Sequence, residues 1–401
     1  MTAAALFPPT RADALARMTA FVPRAASEYE QLRNTDLGPG RHHAVSQLSP
    51  YLRYRMLAEQ EVVQAVLGQH PLQSAEKYVQ EVLWRTYWKG WLEMRPQVWT
   101  RFVAERDRQR GSFDDVRGIA DAEAGRTGIE GFDDWARELV ETGYLHNHAR
   151  MWFASIWIFT LRLPWALGAD FFLRHLIDAD AASNTLSWRW VAGLQTVGKH
   201  YLATADNIAR YTGGRFAPKA LVEQAEPLTE APVGSAAPIS QLAPFDPKAA
   251  ALLLVTPEDL HPESLLSRNA DWRAAVIIND DSLLWGKAAR GFVNDASIDA
   301  LRRASGHYGC DTGIATSFDP ARLIEAAQTC GARQIVTACA PVGLVADALS
   351  RLAPALAAEG IALVQVRRAW DEVFWPHAKK GFFPFKQQMP DLLAEIGIPG
   401  R

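Results

Sequence analysis

Asp178, Asp180, Asn184 and Trp188 recur at helical spacing in the string Leu176-Ile-Asp-Ala-Asp-Ala-Ala-Ser-Asn-Thr-Leu-Ser-Trp-Arg-Trp190. Asp180, Asn184 and Trp188 fall four residues apart, so a helix presents them on one face. Two acids, an amide and an indole on an apolar segment are costly to bury without partners. Taken singly, each residue is also explained by a helix start, with Asp178 or Asp180 as cap and the tryptophans as core. Other strings carry chemistry of their own. Ser46-Gln-Leu-Ser49-Pro50 reads as a helix N-terminus, whose unpaired N–H groups and positive dipole end attract phosphate or simply take a cap. Glu81 and Arg85 stand at i, i+4 in the polarity that favours a helix-surface ion pair. His146 and His148 could touch a metal, but no third ligand is evident nearby.

These residues need helices to position them, and the first half of the chain supplies little else. Ser49-Pro50 predicts a helix running to about Leu67, ended by Gly68 and Pro71. A second opens near Ser74 and carries Trp84, Trp88 and Trp91 at the i, i+4, i+7 spacing of a buried stripe. Further helices are predicted over 98–109, 132–142, 146–161, 170–177, 182–196 and 201–211. Residues 217–247 are rich in proline and poor in large apolar side chains, a semi-extended, surface-bound linker. Beyond it the period changes. Short branched-apolar runs at Ala250–Val255, Ala274–Asn279, Gly313–Thr316, Gln334–Ala338 and Ile361–Val366 alternate with helical stretches such as Asp319–Thr329 and Leu344–Ala358. That alternation predicts a parallel, doubly wound sheet.

Bulk composition sets outer bounds. With 401 residues and 48% hydrophobic content, the chain can bury more than one core. A net charge of −3 exerts no global pull on nucleic acid or anionic membrane. Its distribution is uneven: residues 1–219 carry +2 and the remainder −5, which permits a basic groove in the first half. Cys310, Cys330 and Cys339 are too few for a four-thiolate iron–sulfur cluster and do not read as a disulfide framework, so a reduced, cytoplasmic setting is expected. Neither a signal peptide nor a membrane span is expected. Ten of the 14 tryptophans precede residue 191. A large core accounts for most of them, but indoles are also oxidisable, which matters beside a redox cofactor.

Five segments, in order, resemble the flavin domain of the DNA photolyase and cryptochrome family over about residues 10–216. They are Tyr29-Glu-Gln-Leu-Arg33-Asn34 with Ser46-Gln-Leu-Ser49-Pro50, Glu81-Val-Leu-Trp84-Arg85-Thr-Tyr-Trp88, His146-Asn-His-Ala-Arg150-Met151, and the string around Asp180. The resemblance implies FAD held by Tyr29, Ser46, Gln47, Leu48, Ser49, Arg150, Asp178, Asp180 and Asn184. It implies an Arg150–Asp178 pair beside the flavin ring, with Asn184 facing N5. Glu81, Trp84, Asn147, Met151 and Trp190 would line a pocket for a pyrimidine dimer flipped out of damaged DNA. Trp188 and Trp165 would begin an electron relay. Its outer tryptophan is missing, with Phe113 near the expected place and Trp99 or Trp88 as substitutes. Two departures stand out. Val45-Ser46-Gln47 replaces the family's Thr-Ser-Arg or Thr-Ser-Lys, leaving Arg41, His42 and His43 as replacement phosphate contacts, and His148 replaces an arginine. After Trp190 the chain is similar to bacterial iron–sulfur photolyases, without their cluster cysteines.

The expectation is therefore a multidomain protein: an all-α flavin-binding domain over 1–216, a linker over 217–247, and an α/β doubly wound parallel-sheet domain over 248–401. The last resembles the family's antenna domain, which normally comes first. A second chromophore could sit near Thr256, Asp280, Ala340 or Arg367, at the carboxyl ends of the strands. The implied function is blue-light-driven repair of cyclobutane pyrimidine dimers by electron transfer from reduced flavin. Retention of the dimer-pocket residues favours that lesion over (6–4) photoproducts. The alternative is a cryptochrome-like photoreceptor with a protein partner and no repair activity. A third reading is a flavoprotein that works in the dark.

Overall fold

The computed structural model describes residues 6–398, so residues 1–5 and 399–401 of the two expected domains lie outside it. The first half is helical: α1 (Arg11–Phe21), α2 (Ser27–Leu32), α3 (Ser49–Arg53), α4 (Glu59–Gln69), α5 (Leu72–Glu93), α6 (Gln97–Ser112), α7 (Val116–Glu123), α8 (Phe132–Thr142), α9 (Asn147–Ser155), α10 (Trp165–His175), α11 (Ala181–Ala192) and α12 (Ala205–Tyr211). Helix α5 is the organising element. Ala75, Tyr78, Val79, Val82, Leu83 and Thr86 form its buried stripe, and α2 and α11 pack along it. Helix α11 starts where Asp180 accepts a hydrogen bond from Ser183 N at 2.7 Å, and it ends at Gly193, whose φ of 83° suits a residue without a β-carbon.

One predicted helix is two. The span expected from Ser49 to Leu67 breaks between α3 and α4, and Arg55 takes a positive φ of 48°. Tertiary contacts account for the break. Tyr54 donates its hydroxyl to Ile177 O at 2.6 Å, and the arginines on either side of it turn toward the second half of the chain. Helix α9 also stops short of Leu161 and runs into a single π-turn over Ile156–Thr160.

No helix or strand lies between Tyr211 and Ala251. This strap is nonetheless pinned to the helices: Leu228 N donates to Ala192 O, Ala237 N to Met94 O, and Glu230 pairs with buried Arg189. Beyond it come β1 (Ala251–Val255), β2 (Trp272–Ile278), α13 (Lys287–Tyr308), β3 (Asp311–Ala315), α14 (Pro320–Thr329), β4 (Gln334–Ala338), α15 (Leu344–Ala358) and β5 (Ala362–Val366). Short helices α16 (Ala369–Phe374), α17 (Phe382–Gln387) and α18 (Met389–Glu395) close the described chain. The strands pair in parallel in the order β3-β2-β1-β4-β5, with Leu253 beside both Ala275 and Val336. Central strands β1 and β4 are buried throughout, which is why they read as unbroken apolar runs. The expected class, helical first and doubly wound α/β second, is the one observed.

Strand order reverses between β1 and β4, where such sheets usually open a crevice for ligands. Here the helical half fills it. Arg53 makes a bidentate pair with Glu258 at 2.7 and 2.8 Å, and Arg55 grips Asp371 at 2.6 and 2.8 Å. Trp370 Nε1 donates to Thr86 Oγ1 at 2.9 Å. Gly90 lets α5 approach closely, since a β-carbon there would lie 2.8 Å from Trp375 Cα. The space left beside Arg53, Lys89, Asp180 and Glu258 is about 10 Å³, room for one water. Of the positions named for an antenna, Thr256 and Ala340 are buried at this seam, Asp280 accepts from Ser282 N and Phe318 N, and Arg367 pairs with Glu372.

The seam carries a pH dependence. Burial pushes the Glu93 carboxyl up to about 7, against the pull of Val342 N, which donates to it at 2.5 Å, and of Arg367. A carboxyl raised in the folded state stabilises the fold below the ordinary glutamate value and loses that contribution as pH climbs through 7. Glu93→Gln keeps the acceptor and removes the titration. It is expected to match the parent in urea melts at pH 5 and to exceed it by on the order of 2 kcal/mol at pH 8. Parallel stability at both pH values would refute this account of Glu93.

Candidate functional site

A cavity of about 530 Å³ opens into the helical half, between α5, α9, α11 and the segment leading into α3. Its size falls within the range of small-molecule and cofactor sites. One end is formed by Tyr29, Ser46, Gln47, Leu48 and Ser49. Gln47 is held at a positive φ of 51° by Arg17, which donates to Oε1 at 3.1 Å, and Leu48 N points to Ser46 Oγ at 3.4 Å. That turn sets backbone N–H groups and two serine hydroxyls along the cavity wall.

The adjoining wall is ionic. Arg150 Nη2 donates to Asp178 Oδ2 at 2.9 Å, while buried Asp178 Oδ1 has no partner within the protein. Burial works to raise Asp178; Arg150 overrides it and holds the carboxyl below the usual range. Asp180 is more strongly held. Burial again opposes ionisation, but Lys89 at 3.8 Å, Arg85 at 3.8 Å and Arg53 at 3.9 Å keep it far below the ordinary aspartate value. Lys89 is correspondingly strained as a cation: burial lowers it, and its Nζ makes no hydrogen bond within the protein. The Glu81–Arg85 pair suggested by spacing is not made. Arg85 turns to Asp180, and Glu81 pairs with Arg33 of the segment after α2. Burial raises the Glu81 carboxyl despite Arg33, so it is a poorer anion than an exposed glutamate.

Asn184 donates Nδ2 to Ala169 O at 2.8 Å, so the carbonyl oxygen is the half of its amide left for the cavity. Trp188 lines the cavity beside it, with its buried Nε1 unpartnered. Trp84, Asn147, Met151 and Trp190 complete the opening. Thus every expected site residue except Trp165 reaches one cavity. Trp165 lies on α10 against Phe102, ring centroids 5.6 Å apart, with the Arg189 guanidinium 6.0 Å away. From Phe102 the aromatic contacts continue to Trp99 at 5.4 Å and on to Trp285 of the second half at 5.4 Å.

Arg41, His42 and His43, considered as replacement phosphate contacts, do not line the cavity. His42 is buried against Glu138 at 3.0 Å, and Arg41 and His43 face solvent. His148 does line it, with its Nδ1 3.0 Å from Asn34 O and its ring stacked on Trp152. Several participants were missed from sequence. Lys89 and Arg53 sit in runs of large apolar residues, and a cation in such a run was the available signal. Phe382 had none. It comes from the second half and stacks face to face on Trp84, centroids 3.5 Å apart and planes 10° apart.

Orphaned buried polar atoms test what the cavity could hold. Asp178 Oδ1, Ser183 Oγ, Trp188 Nε1 and two nitrogens of Arg85 lack partners, and all belong to residues on its wall. Buried polar atoms rarely stay unpaired, so this wall fits a ligand with both donor and acceptor edges. The family described as the FAD binding domain of DNA photolyase matches residues 78–213, which contain most of α5 and all of α9 and α11. Over that stretch the chain is a member of the photolyase/cryptochrome family.

Similarity to individual members is partial. A deoxyribodipyrimidine photo-lyase of Streptomyces griseus is 35% identical over 154 residues, 38% of this chain and 33% of that protein. One from Escherichia coli K12 is 29% identical over 201 residues, 49% of this chain and 42% of its own. The crystal structure of a class III photolyase from Agrobacterium tumefaciens superposes with a TM-score of 0.45 and 26% identity, covering 53% of this chain and 44% of that one. The chain thus spans less than half the length of the photolyases it matches. Among the described residues no helix is long and apolar enough to cross a membrane.

Proposed function

We propose that this photolyase-family protein binds FAD in the 530 Å³ cavity and uses it in blue light to split pyrimidine dimers in DNA. The observation that carries this reading is the set of unpartnered polar atoms on the wall of a cavity that also holds a serine-lined turn. FAD, when bound, supplies the light-driven electron chemistry. The protein's own residues do the rest. Ser46, Ser49 and the backbone between them would bind the diphosphate, and the ionised Asp178 and Asp180 would fix the ring's polar edge. The Asn184 carbonyl, oriented by Ala169, would accept a proton-bearing nitrogen. Trp84 and Trp190 offer aromatic surfaces at the opening. Glu81, paired with Arg33 at the opening, would offer a carboxylate oxygen to a pyrimidine N–H. Trp188, buried and beside Asn184, would give up an electron; its ring contacts are Phe153, Trp157 and Phe172, while Trp165, Phe102, Trp99 and Trp285 form a separate aromatic line toward the second half.

A receptor without repair activity is favoured by one observation: Phe382 already covers one face of Trp84. Lesion preference separates the two readings, since a repair enzyme must prefer dimer-containing DNA. The direct test is an absorption spectrum of the purified protein before and after blue light with an added thiol, followed by incubation with a dimer-containing oligonucleotide. A flavin spectrum, its bleaching in light and loss of the dimer are expected. A colourless protein that refuses FAD on reconstitution would falsify the proposal. Asn184→Asp and Trp188→Phe should each retain FAD yet slow its photoreduction about tenfold, the scale of one lost charge-linked hydrogen bond or one relay step. Kinetics equal to the parent in both variants would reject the site assignment.

A further inference from the structure

The Phe382 stack on Trp84 belongs to a larger feature at the cavity opening, the segment Lys379-Lys380-Gly381-Phe382-Phe383-Pro384. It is fixed to α5 rather than free. Arg95 Nη2 donates to Lys379 O at 2.8 Å, and Tyr87 OH donates to Lys380 O at 2.7 Å. Lys386 pairs with Glu76 at 2.8 Å, so α17 is tied to the same helix that carries Glu81, Trp84 and Arg85. With the backbone held, the side chains of Lys379, Lys380 and Phe383 are left in solvent. Among the described residues, the large hydrophobic side chains left exposed are aliphatic except Phe383, which is 75% exposed. Its ring centroid lies 6.4 Å from that of Phe382, which lies 3.5 Å from Trp84. A line of three aromatic rings therefore runs from the cavity wall to solvent, flanked by two lysine side chains without acidic partners in the structure.

We propose that this ridge from the second half of the chain is a nucleic-acid contact: Phe383 stacks on the nucleotide next to the one entering the cavity, and Lys379 and Lys380 engage its phosphates. The chemistry is that of single-strand binding surfaces, aromatic faces for bases with cations for the backbone. An exposed apolar wedge beside a flipped-out base also fills the gap left in the stack. Charge selects the partner. Segment 376–391 carries Lys379, Lys380 and Lys386 against Asp391, in a half of the chain that is otherwise net acidic. The ridge rests on the reading of the cavity as a DNA-lesion site, and it assigns the second half a share of the binding energy.

The test is fluorescence anisotropy of the full-length protein with a labelled duplex carrying one pyrimidine dimer and with its undamaged twin. Phe383→Ala, at an exposed position, should keep its melting temperature and flavin content while binding the dimer duplex at least about fivefold more weakly. Phe383→Trp should restore the affinity. Lys379→Ala with Lys380→Ala should reduce the slope of log K against log salt by about one to two. Weakening of both duplexes by Phe383→Ala, with no lesion preference in the parent, would support the ridge while refuting the repair reading. Normal binding by Phe383→Ala alongside weakened binding by Glu81→Ala would overturn the ridge and leave the repair reading intact. Loss of a dimeric species on sedimentation, with DNA binding unchanged, would also overturn it, by assigning the ridge to a second copy of the chain.

Discussion

Asp180→Asn is expected to cost about 3–5 kcal/mol of stability and to abolish FAD retention, although it changes a single atom type. The amide can still accept from Ser183 N, so the cap on α11 survives. What disappears is the one negative charge facing Arg53, Arg85 and Lys89 together. Arg53 keeps Glu258, but Lys89 and Arg85 have no hydrogen-bonded acid to replace Asp180. Lys89 is the group that must yield, since burial already lowers it and only its acidic neighbours support the charge. Asp180→Ala should lose about 1 kcal/mol more, the worth of the cap. Urea melts of the three proteins, with flavin-to-protein absorbance ratios, measure both effects. An Asn variant as stable and as yellow as the parent would show that the cluster does not depend on this charge.

Arg55→Ala is expected to be of similar size and to act on the seam between the two halves. Arg55 supplies both hydrogen bonds to Asp371 and lies 3.7 Å from Glu59, and all three side chains are buried. Deleting the guanidinium strands two carboxylates in a dry seam, a loss of about 3–5 kcal/mol. The positive φ at Arg55 is tolerated by alanine no better than by arginine, so the backbone contributes little to the difference. The two halves should still melt together, because one apolar core runs from the helices into the sheet, with a second cluster within the sheet half. A single calorimetric transition shifted down by several degrees is the expected signature. Asp371→Asn should restore much of the stability to Arg55→Ala by removing one stranded charge. A single unshifted transition in Arg55→Ala would mean that the ion pair contributes nothing net.

Helix periodicity and residue chemistry determined much of this protein without tertiary information. The tryptophan stripe of α5 and the Asp180 cap of α11 depend on contacts within about one helical turn, and the apolar runs of β1 and β4 on burial of both sheet faces. Polarity in an apolar setting singled out Asp178, Asp180 and Asn184, while their grouping with Tyr29, Ser46, Glu81 and Met151 was implied by the family resemblance.

Only the tertiary structure decided who pairs with whom. Spacing offered Arg85 to Glu81, yet Arg85 turns to Asp180 and Glu81 to Arg33, pairings between segments distant in sequence. The break at Arg55, the filled crevice between β1 and β4, and the stack of Phe382 on Trp84 all arise from contacts across the two halves. Such contacts join residues as far apart as Arg55 and Asp371, and neither local propensity nor periodicity carries information over that distance.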